Sequence, residues 1–66
     1  MTPLERYRLT KGLSISELSR AIGYSQPYTW QLCRGDRAMS LNAALRIEKR
    51  TGIELRALIA TRRKMA

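Results

Sequence analysis

Residues 14–35, S-I-S-E-L-S-R-A-I-G-Y-S-Q-P-Y-T-W-Q-L-C-R-G, constrain the fold more than any other stretch of the chain. They predict two short helices joined by a sharp turn. Ser14 and Glu17 have the spacing of a capping box, hydroxyl to one backbone N–H and carboxylate back to another. Ile15, Leu18 and Ile22 then recur at helical spacing, giving the first helix one apolar face. Gly23 is placed to stop it, because glycine accepts the left-handed conformation of a helix end. Ser25 is placed to cap the second helix, and Pro27 lies in its first turn, where a missing N–H costs little. Gly35 closes it. The spacing is that of a helix-turn-helix, in which the second helix enters the DNA major groove.

The remainder of the chain repeats this punctuation. Thr2 and Glu5 are spaced as another capping box, with Pro3 at the first helical position. A helix of about two turns follows, with Leu4 and Tyr7 inward and Gly12 as its stop. Arg8 and Lys11 fall in its last turn, where cations suit the helix dipole. After Gly35, D-R-A-M reads as a polar turn. Ser40 then caps a fourth helix, L-N-A-A-L-R-I-E-K-R-T, ended by Gly52. Leu41, Ala44, Leu45 and Glu48 share one face of that helix, and its apolar residues are expected in the core. A fifth helix is expected from Glu54 to about Thr61, with Glu54 at its positive end. No strand alternation or repeat appears. The expected fold is all-α: one compact domain of about five short helices over residues 1–61, followed by a basic flexible tail at 62–66.

Charge narrows the partners. Thirteen Lys and Arg face five Asp and Glu, a formal net charge of +8. Without the tail cations Arg62, Arg63 and Lys64, cations still outnumber anions two to one, so the body itself is basic. Such a balance favours a polyanion, nucleic acid or an anionic membrane, without choosing between them. A single cysteine forms no internal disulfide, which suits a reducing cytoplasm. No apolar run of transmembrane length and no signal-peptide core is present. Histidine is absent, so the commonest general base and metal ligand is missing. Cys33 has no second soft ligand for a metal and no histidine to activate it, and is expected to be buried. Neither an enzyme nor a metal site, cofactor or small-molecule ligand is expected.

The stretch at 14–35 resembles the helix-turn-helix of the Cro/phage-repressor family, and the expected bundle is lambda-repressor-like. With Ile15 as first position, Ser19, Gly23, Tyr24 and Leu32 fall on the family's small, glycine and apolar positions. Leu4, Arg8, Gly12 and Leu13 before the motif, and R-I-E-K-R-T-G-I at 46–53 after it, extend the resemblance to roughly residues 4–59. Four residues depart from the family pattern. Ile15 stands where glutamine is frequent, which removes a phosphate contact. Ser19 stands for the usual alanine. Thr29 stands for valine or isoleucine. Cys33 stands where a glutamate often pairs with the arginine matched by Arg8. Arg8 must therefore turn outward to a phosphate or pair with Glu5, and Cys33→Glu is expected to restore the family pair and raise the melting temperature.

Function follows from the outer stripe of the third helix. Gln26, Trp30 and Arg34 line it at helical spacing, with Pro27 and Gln31 beside them. Glutamine matches adenine N6/N7 and arginine matches guanine O6/N7, each bidentately. The resemblance implies that Gln26, Pro27 and Gln31 face the bases. Pro27 offers only apolar contact, and Trp30 packs on sugars or a methyl. Phosphate contacts are expected from Arg8, Ser14, Ser25, Tyr28, Arg37, Ser40 and Asn42, in part because free N–H groups at helix starts bind anions. Arg20, Arg46, Lys49, Arg50 and Arg56 are expected to be solvated. The resemblance also implies a homodimer on a palindromic operator, with double-stranded DNA as partner. The interface is expected on the fifth helix and the loop before it, with Leu55, Leu58 and Ile59 as candidates. The leading expectation is a short Cro-type repressor. An antitoxin-type autoregulator with an added toxin-binding surface is the alternative within the class. A membrane-active cationic peptide and a protein-interaction module on the same fold are the alternatives outside it.

Overall fold

The computed structural model describes residues 1–60, and the side chains of residues 1–59. Five helices fill it: α1 Pro3–Lys11, α2 Ile15–Ile22, α3 Gln26–Arg34, α4 Leu41–Thr51 and α5 Leu55–Ala60. No strand occurs among the described residues. The expected end of the last helix at Thr61 and the tail at 62–66 lie outside them.

Local chemistry sets the first four boundaries. The Ser14 capping box is complete, with Glu17 N donating to Ser14 Oγ at 3.0 Å and Ser14 N donating to Glu17 Oε1 at 2.8 Å. The expected box at Thr2 forms only by half. Thr2 Oγ1 accepts from Glu5 N, but the Glu5 carboxylate turns forward to Arg8. Ser25 and Ser40 cap α3 and α4 by accepting from Tyr28 N and Ala43 N. Gly23 stands at φ +80°, a backbone conformation that requires glycine, and a Cβ added there would also push the Arg46 Nη1 tip, 3.0 Å away, off its place. The fifth helix is capped from a distance. Glu48 Oε2 accepts from Leu55 N at 3.0 Å, in the role the sequence suggested for Glu54.

The core joins all five helices and the loop before α4. Leu4, Leu18, Ile22, Leu32, Cys33, Met39, Ala43, Ala44, Ile47 and Leu58 are buried and form one cluster. Each fully buried leucine or isoleucine contributes about 1.5–3 kcal/mol. Met39 anchors the loop that the sequence marked only as polar.

Two expectations are corrected by this packing. Leu58 is 1% exposed and belongs to the monomer core, so it is not available to a partner chain. A six-residue helix needs such an anchor to stay attached, and Leu58 supplies it. In α4 the two leucines are not core residues: Leu41 is 57% and Leu45 45% exposed, while Ala43, Ala44 and Ile47 face inward. Two alanines on the inner face leave little side chain between α4 and the helices it covers. The inner stripe therefore falls on the small residues and the large ones point away.

Candidate nucleic-acid interface

The two sides of α3 differ sharply. Thr29, Leu32 and Cys33 are buried, whereas Gln26, Pro27, Trp30 and Arg34 are exposed and Gln31 is half-buried. The five side chains assigned from sequence to base contact therefore share the helix's outer side. Trp30 is 46% exposed rather than absorbed into the core. The Arg34 guanidinium lies 5.4 Å from the Trp30 ring centroid and donates to Asp36 Oδ2 at 2.9 Å. Both members of that ion pair are more than half exposed, so it adds little to stability and little to the cost of moving Arg34.

A row of rings and cations flanks the stripe. Tyr24 and Tyr28 meet edge to face, with centroids 5.0 Å apart. Arg46 covers the Tyr24 ring at 4.9 Å and Arg37 covers the Tyr28 ring at 5.2 Å. Arg37 Nη1 also donates to Gln31 Oε1 at 3.1 Å. The alternation of guanidinium and ring combines quadrupole attraction with apolar cover. Arg46 and Arg50 were expected only to be solvated. They are exposed, but Arg46 Nη1 donates to Gly23 O and Arg50 Nη1 to Ala21 O, both at 3.1 Å. Two cations of α4 thereby satisfy carbonyls at the C-terminal end of α2, where helix dipole and unpaired oxygens both favour positive charge. The partners are 23 and 29 residues apart, and no local sequence signal marks them.

Of the residues assigned to phosphate, Ser14, Ser25, Arg37, Ser40 and Asn42 are exposed and Tyr28 is partly covered. Each of the three serine oxygens accepts from a helix-start amide, so each hydroxyl proton is left to donate outward.

Arg8 does not fit the phosphate role. Its Nε and Nη2 grip both Glu5 oxygens, at 2.8 and 2.6 Å, and its Nη1 donates to Leu13 O at 3.0 Å. The two side chains are only 18% and 22% exposed. Arg8 thus takes the Glu5 alternative, and the partner missing at Cys33 is supplied from within α1. The Arg8 hydrogen bond holds the Glu5 carboxyl below its ordinary range, against the opposing effect of burial. Cys33 is buried beside this pair. Loss of hydration, and then the nearby Glu5 charge, push its thiol up to about 12. With Arg8 already holding the Glu5 carboxylate, no family pair is left for Cys33→Glu to restore. A separate tie joins these helices: Thr2 Oγ1 donates to Cys33 O at 2.7 Å.

Two positions of the motif carry a hydroxyl where the family is usually apolar, with opposite results. Ser19 Oγ donates to Ser16 O at 2.8 Å and is satisfied within its own helix. Thr29 is fully buried and its Oγ1 has no hydrogen-bond partner.

Among the described residues no cluster of side chains suited to a metal ion occurs, and no helix is long and apolar enough to cross a membrane. The architecture is that of a helix-turn-helix domain. The profile of the helix-turn-helix family matches residues 4–58, and the chain belongs to this Cro/C1-type helix-turn-helix family. It is accordingly a sequence-specific DNA-binding transcriptional regulator. No curated protein and no solved structure matches the chain.

Proposed function

We propose that the protein is a Cro-like repressor that binds a palindromic operator as a homodimer, with α3 in the major groove. One observation carries this reading: α3 turns Gln26, Pro27, Trp30, Gln31 and Arg34 outward together while Thr29, Leu32 and Cys33 hold its other side in the core. Gln26, Gln31 and Arg34 supply donors and acceptors for base edges, and Pro27 and Trp30 supply apolar contact. Ser14, Ser25, Tyr28, Arg37, Ser40 and Asn42 grip phosphates and fix the register. Occupying a promoter excludes polymerase, and that is the repression. The reducing cytoplasm is the compartment that suits the free thiol of Cys33.

The second protomer binds on the exposed surface of α4 and α5. Leu41 and Leu45 lie on one stripe of α4 with Glu48, and Glu48 also borders the open groove lined by Leu55 and Ile59. These four apolar side chains are the interface, with Leu58 beneath them in the core. A membrane-active peptide would need its wide apolar face on an unfolded or monomeric helix, whereas here the largest apolar residues of α2 are enclosed.

Selection of random DNA duplexes on the purified protein tests the proposal. A two-fold symmetric consensus is expected. A non-symmetric consensus would remove the homodimer, and no consensus at all would remove base reading by α3.

A further inference from the structure

Gln31 is the one side chain of the outer stripe whose amide is gripped from outside its helix. Arg37 Nη1 donates to Gln31 Oε1 at 3.1 Å. The same guanidinium is braced over the Tyr28 ring, and Tyr28 is in turn braced by Tyr24. A guanidinium carries donors and no acceptor. The amide atom that faces it must therefore be the oxygen, and the NH2 group is the end left to face outward.

We propose that Arg37 is a positioning residue that makes Gln31 a hydrogen-bond donor toward the groove, so that Gln31 selects guanine rather than adenine. This rests on the reading of α3 as the base-contacting helix. An unrestrained glutamine suits adenine, because it donates to N7 and accepts from N6 at once. Here the accepting oxygen is turned toward a cation. Adenine could bring its N6 donor only to the second lone pair of that oxygen, beside a guanidinium, with like charge facing like. Guanine presents N7 and O6, two acceptors side by side. They match an outward NH2, and the neighbouring positive charge favours them as well. Arg37 thus acts on specificity through Gln31, in addition to any phosphate it holds.

Random-duplex selections on the wild type, Arg37→Ala, Gln31→Ala and the double variant test this. Arg37 is exposed and replacing it removes no core contact, so helix content should be unchanged by circular dichroism. The wild type should select guanine at the base pair whose preference Gln31→Ala relaxes. Arg37→Ala should shift the guanine-to-adenine ratio there by about tenfold toward adenine, the size of one good bidentate contact. Without Gln31, the Arg37 change should no longer move that ratio. A phosphate role alone would weaken all sequences alike, make the salt dependence shallower and leave the ratio fixed. Adenine in the wild-type consensus at that pair, or an unmoved ratio in Arg37→Ala, overturns the positioning role while DNA reading stands. A shift that persists in the Gln31→Ala background overturns it equally. Absence of any wild-type consensus overturns DNA reading by α3 and this inference with it.

Discussion

The front helix pair, α2 and α3, and the back pair, α4 and α5, solve the same packing problem differently. In front, Leu18, Ile22 and Leu32 are all enclosed, and the one large exposed hydrophobic is Trp30, on the stripe proposed to meet bases. At the back, α4 gives its small residues and Ile47 to the core and leaves Leu41 and Leu45 in water. Both α2 and α4 start at a serine cap and stop at a glycine, with a reciprocal capping box at α2 alone. The difference that matters for packing lies in which stripe carries the large side chains. A helix that buries its large residues is finished as a monomer, whereas one that exposes them has a surface still to cover.

The largest test of that contrast pairs two truncations. Ile22→Ala should cost ~2–5 kcal/mol in urea unfolding, as a cavity is left in the core. Leu45→Ala should change monomer stability by less than about 0.5 kcal/mol, while Leu45→Asp should raise the dimer dissociation constant by at least about tenfold. Sedimentation of the Leu45→Asp variant reads this directly. An Ile22-sized loss from Leu45→Ala would erase the distinction between the pairs.

The next effect concerns how fully the front pair is satisfied. Cys33→Glu would bury a second carboxylate beside Glu5 with Arg8 already gripped by both Glu5 oxygens. A loss on the order of 2–3 kcal/mol is expected, read as a lower melting temperature at neutral pH. A higher melting temperature would mean that Arg8 leaves Glu5 readily.

A smaller effect of the opposite sign comes from Thr29. Its buried hydroxyl has no partner, so Thr29→Val should remove an uncompensated desolvation cost and stabilise by about 1 kcal/mol. Thermal melts of the two proteins decide it, and a loss of stability would mean that the hydroxyl makes a contact the native fold needs.

Near neutral pH the expected effects of pH are the smallest of all, and those that appear toward the acid and alkaline extremes both originate at the α1–α3 contact. The Glu5 carboxyl is held below its ordinary 4.5, so its contribution is present above that value and fades as pH falls through the lower folded value. The Cys33 thiol is raised from its ordinary 9.0 to about 12, so its contribution is complete below pH 9 and is lost as pH climbs toward 12. Melting temperatures across pH should show a plateau between these limits, and Cys33→Ala should reduce the alkaline decline. An alkaline limb unchanged in Cys33→Ala would assign the decline to other groups.

Much of the fold was legible because its signals are short-range. The expected fourth helix coincides with the observed Leu41–Thr51, since serine cap and glycine stop bracket it within the sequence itself. The stripe of α3 was legible for the same reason, as helical spacing alone groups Gln26, Trp30 and Arg34. What misled was orientation. Leu41 and Leu45 form an apolar stripe as plausible as the Ala43, Ala44 and Ile47 stripe, and only packing against the rest of the core decides between them. Leu58 was misplaced for the converse reason: on α5, helical spacing does not separate the residue that anchors the helix from those beside it. The bonds from Arg46 and Arg50 to the end of α2 had no local signature at all. Arg8 was ambiguous between phosphate and Glu5, because the three-residue spacing permits the pair without requiring it, and only the folded contact decides.

The caps also bear on the speed of folding. Every helix start from α1 to α4 is signalled by a bond spanning three residues, and every stop by a glycine directly after the last turn. Helices with such local contacts form in under a microsecond to microseconds, and domains built from them fold in about microseconds to milliseconds. The ties that span 23, 29 and 31 residues, Arg46 to Gly23, Arg50 to Ala21 and Thr2 to Cys33, close long loops. Loop closure costs entropy before such a bond returns any energy. These ties are therefore expected to follow the helices in time and to delay unfolding, as latches on a structure already assembled; mutations that remove them should speed unfolding more than they slow folding.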